Sequence, residues 1–171
     1  NLENVCAAVI ASYIAGADMQ SIKKAIKGFK GLEHRLEFVA EVDGVKYYND
    51  SFATTPETTM AAINAFHEPV ILIAGGSEKG SDYTEMGKVI AEKVKTVFLI
   101  GDTAKEIKDK ITTVNLIMDI REGFTDMEDL VKRAGDAAEG GMVVVLSPGC
   151  ASFGIFENYK QRGNLFRAAV K

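Results

Sequence analysis

Histidine and cysteine are scarce in this chain of 171 residues, with two of each. Cys6 and Cys150 lie far apart and imply no disulfide framework, so a reducing cytoplasm is the compartment that fits. His34 and His67 show no Cys/His spacing of a zinc site and no acidic orienter for a catalytic imidazole. His67, before Glu68-Pro69, reads as a partner for a helix C-terminus. A basic excess is also missing: the net charge of −4 argues against a broad nucleic-acid surface. No apolar run approaches the roughly 20 residues of a membrane span. The start, Asn1-Leu2-Glu3-Asn4, lacks the basic region of a secretory signal. The phosphate-loop pattern G-x-x-x-x-G-K-[ST], the dinucleotide pattern G-x-G-x-x-G and the hydrolase elbow G-x-S-x-G do not occur, nor does any repeat or low-complexity stretch.

What is present is ordinary for a globular protein, 47% hydrophobic and 26% charged. The length allows one good core and a fragment of a second domain. The chain opens at Asn1 and enters a helix pattern almost at once, as expected of a piece of a longer protein. Asn4 to Ala15 is Ala-rich and apolar nearly all round, which predicts a buried helix ended by Gly16. Ile22, Ala25, Ile26 and Phe29 predict a second, amphipathic helix stopped by Gly28 and Gly31. The linker Gly31 to Arg35 follows.

From Leu36 the pattern changes. Leu36, Phe38, Ala40 and Val42 alternate with more polar positions, which predicts a strand with one wet face. Asp43-Gly44 predicts a tight hairpin returning through Val45 to Tyr48. Thr55-Pro56 opens a helix. Strands are then expected at 70–74, 96–100, 114–118 and 142–146. Between them lie helices capped by Asp82-x-x-Glu85, Thr103-x-x-Glu106 and Thr125-x-x-Glu128. A terminal helix is expected from about Phe153 to Val170. The alternation implies an α/β fold: a Rossmann-like, doubly wound, mostly parallel sheet with an antiparallel N-terminal hairpin, preceded by two helices.

Three strand-to-helix loops, 49–55, 75–81 and 147–152, should open on one edge of such a sheet. Asp50 can accept two hydroxyls, as from a ribose, or simply pin its own turn. In Gly75–Ser81, glycines let backbone N–H groups approach an anion and Lys79 adds charge; the alternative is a glycine turn with a solvated lysine. Ser152 reads as a helix N-cap or as a carboxylate ligand at a helix start. Cys150 reads as a small buried residue rather than a nucleophile. Arg35 is either a surface charge or a cation reaching a phosphate across a domain junction.

Six motifs together carry a resemblance. They are Asn1-x-x-Asn4, Gly31-Leu32-x-His34-Arg35, Asn49-Asp50-Ser51-x-Ala53-Thr54, Gly75-Gly76-x-x-Lys79, Leu146-Ser147-Pro148-x-Cys150-Ala151-Ser152, and Phe156-x-Asn158-Tyr159-x-Gln161-Arg162-Gly163-Asn164-x-Phe166. They resemble the C-terminal part of the Mur ligases, the ATP-dependent amide ligases of peptidoglycan and cell-wall synthesis. The resemblance runs through nearly the whole chain and points to the branch that adds D-glutamate to UDP-N-acetylmuramoyl-L-alanine. It implies that residues 1–31 are the last helices of the central ATP-binding domain, and 32–171 the C-terminal, amino-acid-binding domain. It implies an acyl phosphate made with ATP and Mg2+, which the D-glutamate amine then attacks.

By the same resemblance Asn1, Asn4, Arg35 and Asp50 would contact ATP, while Thr54, Lys79, Ser152 and Tyr159 would hold D-glutamate. The phosphate loop and magnesium ligands would lie upstream, so the chain alone would be inactive. A cytoplasmic monomer without nucleic-acid or membrane partners is implied. Two positions depart from the pattern: Phe52 stands where many relatives have lysine, and Tyr159 replaces a common phenylalanine. The alternatives are a sibling ligase for another amino acid and a non-catalytic Rossmann-like nucleotide-binding module.

Overall fold

The continuous apolar runs form the interior of a twisted sheet, and the amphipathic segments cover its two faces. In the computed structural model, which describes residues 2–124 and 126–170, the chain divides into two compact units, Asn1–Gly31 and Leu32–Lys171.

The first unit is a helix pair. α1 spans Leu2–Ile14 and α2 spans Met19–Gly28. Gly16 turns the chain between them with φ 94°. Asp18 caps α2 by accepting the backbone N–H groups of Gln20 and Ser21. α1 is not the buried helix expected: no residue of it is buried. It is apolar all round, and within its unit only α2 packs on it.

The second unit holds six strands in the order β1-β2-β6-β3-β4-β5. β1 (Glu37–Val42) and β2 (Val45–Asn49) form the antiparallel hairpin. β3 (Val70–Gly75), β4 (Val94–Ile100), β5 (Asp119–Arg121) and β6 (Val143–Leu146) run parallel to β2. Asp43 and Gly44 both take positive φ, as a two-residue hairpin of the favoured hand requires. On one face α3 (Pro56–Ile63), α4 (Thr84–Lys93) and α5 (Ala104–Thr112) pack on Leu72, Ala74, Val97, Leu99 and Val145. On the other, α6 (Met127–Asp136) and α7 (Tyr159–Ala169) pack on Ile71, Ile73, Phe98, Val144 and Leu146. Neighbouring strand residues thus feed opposite cores, which is why the central strands read as unbroken apolar runs.

Several sequence expectations are corrected. A bulge between Phe38 and Ala40 breaks the alternation of β1, so Phe38 is exposed while Val39 and Ala40 both meet the core. The fifth strand is Asp119–Arg121, not 114–118; Leu116 and Ile117 stand 85% and 94% exposed. The terminal helix begins after Asn158, whose side chain takes the N–H groups of Lys160 and Gln161. Ser152 therefore caps no helix. Asp82 accepts the Thr84 N–H, but Glu85 pairs with Lys88 instead of closing a capping box. Thr103 turns its hydroxyl inward and does not cap α5. The expected cap Thr125 lies outside the described residues, and Asp126 caps α6.

Candidate functional site

The strand order places the site. β3, β4 and β5 are laid down in one direction; the chain then returns across the sheet and inserts β6 between β2 and β3. The order reverses between β3 and β6. In open α/β sheets a crevice forms at such a reversal, outside the carboxyl ends of the strands. The loops leaving β2, β6 and β3 therefore meet on one rim, although about a hundred residues separate the first two in the chain.

Backbone bonds stitch these loops together. Asp50 N donates to Leu146 O at 2.8 Å, Gly149 N to Ala53 O at 3.0 Å, and Gly75 N to Pro148 O at 2.8 Å. Ser77 and Ala151 form a bridge, with Ser77 N donating to Ala151 O at 2.9 Å. A side chain at Gly76 would lie 2.1 Å from Ala151 O, so the close approach demands glycine.

Asp50 is 5% exposed. Its Oδ2 accepts from Ser147 Oγ at 2.8 Å and its Oδ1 from Leu36 N at 3.0 Å. Burial holds its carboxyl above the ordinary carboxylate range, against the pull of Ser147, the Leu36 N–H and Arg35. The Leu36 bond has a conformational cost: His34 and Leu36 take φ of 61° and 44°, where side chains are disfavoured. Glu37 Oε2 accepts the His34 N–H at 2.9 Å and secures the other half of this bend. The bend carries Arg35, which projects into solvent with its guanidinium 5.9 Å from the centre of the Phe52 ring.

Arg162 joins the loops from beneath. It is fully buried in α7, and no carboxylate among the described residues hydrogen-bonds to it. Its Nε donates to Ser51 Oγ at 3.0 Å and its Nη2 to Ser51 O at 2.9 Å. Nη1 donates to Cys150 O and Ala151 O, both at 3.3 Å. Burial pushes its pKa down to about 10. Ser51 Oγ in turn donates to Tyr159 O at 2.8 Å. Beside this clamp His34 is buried, and Asn49 Nδ2 donates to His34 Nδ1 at 2.9 Å and to Gly163 O at 3.2 Å. Thr103 Oγ1 accepts from Gly76 N at 3.0 Å and contacts Cys150 Sγ at 3.2 Å. Burial raises the Cys150 thiol pKa, the wrong direction for a nucleophile.

The structure brings six of the eight residues singled out from the sequence into this unit. Asp50 is on the rim, and Ser152 follows the Ala151 bridge, itself buried. Lys79 is exposed, with its ammonium 5.6 Å from the centre of the Phe153 ring. Thr54 is half-buried between β2 and α3. Tyr159 is half-buried, with its ring edge-on to Phe52 at 5.0 Å and to His34 at 6.0 Å. Arg35 sits beside Phe52. Asn4 lies in α1, in the first unit, and is exposed. Asn1 lies outside the described residues. Among the described residues no three His, Cys, Asp or Glu side chains cluster as metal ligands. Sequence reasoning missed Arg162 as a site residue. The signal was present: Arg162 and Phe166 share the buried face of α7, and an arginine on an apolar stripe needs partners.

This arrangement is that of a known class. The chain belongs to the Mur ligase family: the family described as Mur ligase, glutamate ligase domain, matches residues 34–150. Among its curated relatives, UDP-N-acetylmuramoylalanine--D-glutamate ligase of Thermoanaerobacter sp. (strain X514) is 44% identical over 99% of this chain and 37% of its own length. The protein of the same name from Symbiobacterium thermophilum is 43% identical over 100% of this chain and 37% of its own. The chain thus spans under two fifths of the length of these relatives. In fold it is similar to the crystal structure of UDP-N-acetylmuramate-alanine ligase from Thermotoga maritima. The TM-score is 0.73 at 15% identity, covering 99% of this chain and 37% of that one.

Proposed function

We propose that this chain is the amino-acid-binding end of an ATP-dependent ligase that joins D-glutamate to UDP-N-acetylmuramoyl-L-alanine. The observation that carries the proposal is the shared rim: Asp50, Ser147, Arg162 and the Ser77–Ala151 bridge tie three strand exits into one surface. That rim carries Lys79, Ser152 and Thr54. A lysine and hydroxyls suit a dicarboxylate amino acid. Arg35 and Asp50 face the nucleotide in this reading. Each oxygen of Asp50 holds one donor from the chain, and an ionised carboxylate has room for further donors, such as ribose hydroxyls. Arg35 lies over the Phe52 ring, so in this reading its guanidinium supplies the cation beside the nucleotide.

The reaction would form an acyl phosphate on the nucleotide-sugar substrate. The D-glutamate amine then attacks its carbonyl carbon, phosphate leaves with the bonding pair, and an amide forms. This chain's share is to hold the amino acid with its amine aimed at that carbon. Mg2+ would neutralise phosphate charge; among the described residues no three His, Cys, Asp or Glu side chains cluster to hold it. Residues 1–31 would be the last helices of the central domain, with Asn1 and Asn4 beside adenine. A cytoplasmic monomer is part of the same proposal. Among the described residues no helix is long and apolar enough to cross a membrane.

The test uses the full-length protein that carries this chain. Phosphate release should require ATP, UDP-N-acetylmuramoyl-L-alanine and D-glutamate together, and other amino acids should not replace D-glutamate. Lys79→Ala should raise the KM for D-glutamate, and Asp50→Asn the KM for ATP. Turnover with a different amino acid would assign the chain to a sibling ligase. Tight ATP binding by residues 1–171 alone would favour a free-standing nucleotide module and sink the proposal.

A further inference from the structure

Of the four candidate amino-acid contacts, Thr54 and Ser152 follow closely on residues that Arg162 bonds, and Lys79 on a loop that lies against it. Its fork holds Ser51, and Thr54 lies on the same loop. It holds Cys150 and Ala151, and Ser152 is next. It also reaches the third loop: a side chain at Gly76 would lie 3.3 Å from Nη1, and Lys79 follows. All its acceptors are neutral oxygens. A buried charge without a counter-ion is unusual, because burial favours paired or neutral groups. A lysine could not replace it, for it offers one charged point instead of a planar fork of five donors.

We propose that Arg162 is a positioning residue of the amino-acid site, fastening the exits of β2 and β6 to each other beside the β3 exit and supplying an unneutralised positive charge that favours an anionic amino acid. The inference rests on the function proposed above. Arg162 touches no substrate in this reading. It acts through the backbone it holds and through the field it leaves beneath the rim.

The test compares Arg162→Gln and Arg162→Lys in the full-length protein, each first checked for folding by thermal melting. Arg162→Gln should raise the KM for D-glutamate about tenfold or more, with the KM for ATP changed less than about twofold. Arg162→Lys keeps the charge and should fall between parent and Gln variant. Parallel rises in both KM values, or a Lys variant no better than Gln, overturn the proposal in favour of a purely structural role. If Arg162→Gln does not fold, Arg162→Lys and Ser51→Ala carry the test. Each should raise the KM for D-glutamate about threefold, and an unchanged value in a folded variant overturns the inference. A parent protein without turnover on any amino acid overturns the proposed function and this inference together. An active parent whose variants show no such split overturns this inference alone.

Discussion

Two regions of the sheet, the crowded exits of β2, β6 and β3 at its centre and the open edge at β5, obey different physics. At the exits the polar side chains are buried: Asn49, Asp50, Ser51, Thr59, Thr103, Ser147, Ser152 and Arg162. A buried polar atom needs a partner, and here most partners belong to another loop. Thr59 Oγ1, for example, donates to Ser147 O at 3.1 Å. The β5 edge is short, and its neighbours Leu116 and Ile117 face solvent. Its polar contacts are few and mostly at the surface: Thr96 Oγ1 on the neighbouring strand donates to Asp119 at 3.1 Å, and Arg121 Nη2 donates to Asp119 at 2.9 Å. An exposed pair of this kind contributes little. The comparison teaches that the fold concentrates its buried polar bonding where the sheet order reverses, and holds the far edge by strand pairing, a few surface contacts and the packing of Met118 and Ile120.

The largest blow to that contrast should come from Arg162→Met. It relieves the burial of a charge, but it strands Ser51 O and Cys150 O, while Ala151 O keeps the Ser77 N–H. At about 1–3 kcal/mol for each orphaned acceptor, the stranding wins, and a net loss of about 2–5 kcal/mol is expected by chemical denaturation. An unchanged stability would show that the exits do not depend on their clamp.

A smaller effect sharpens the role of Asp50. Its carboxyl titrates above the ordinary range in the folded state, because burial disfavours the charge. The folded chain therefore keeps that proton to higher pH than the unfolded chain does. The stability this supplies is present below the unfolded value of about 4 and is lost as pH rises through the folded one. Asp50→Asn does not titrate, so it should gain on the parent chain as pH rises through that window. A stability difference that stays flat with pH would count against the burial of the Asp50 carboxyl described here.

The smallest effect belongs to the open edge. Leu116→Ser with Ile117→Ser should change stability by no more than about 0.5 kcal/mol, since both side chains already meet water. A loss several times larger in a thermal melt would show that this edge is not the loosely held region the comparison makes it.

Much of this was legible beforehand. The apolar runs at 70–74 and 142–146, the Asp43-Gly44 turn and the Thr55-Pro56 helix start all appear where local chemistry placed them. Local chemistry failed where tertiary contacts compete for the same group. Thr103 had the pattern of a cap, but Gly76 and Cys150 claim its hydroxyl. Val114 to Met118 had the composition of a strand, but β4 pairs with Asp119–Arg121 instead. Ser152 had the look of a helix start, but the chain turns through 153–157 before Asn158 caps α7.

By itself, then, the sequence settled the alternation of strands and helices, the hairpin, and the three loops rich in small and polar residues, because periodicity and turn chemistry act over a few neighbours. Only the tertiary structure decided that β6 lies between β2 and β3, and that Arg162 fastens loops about a hundred residues apart in the chain. Those contacts are long in sequence and short in space, and no local rule encodes which buried donor will meet which buried acceptor.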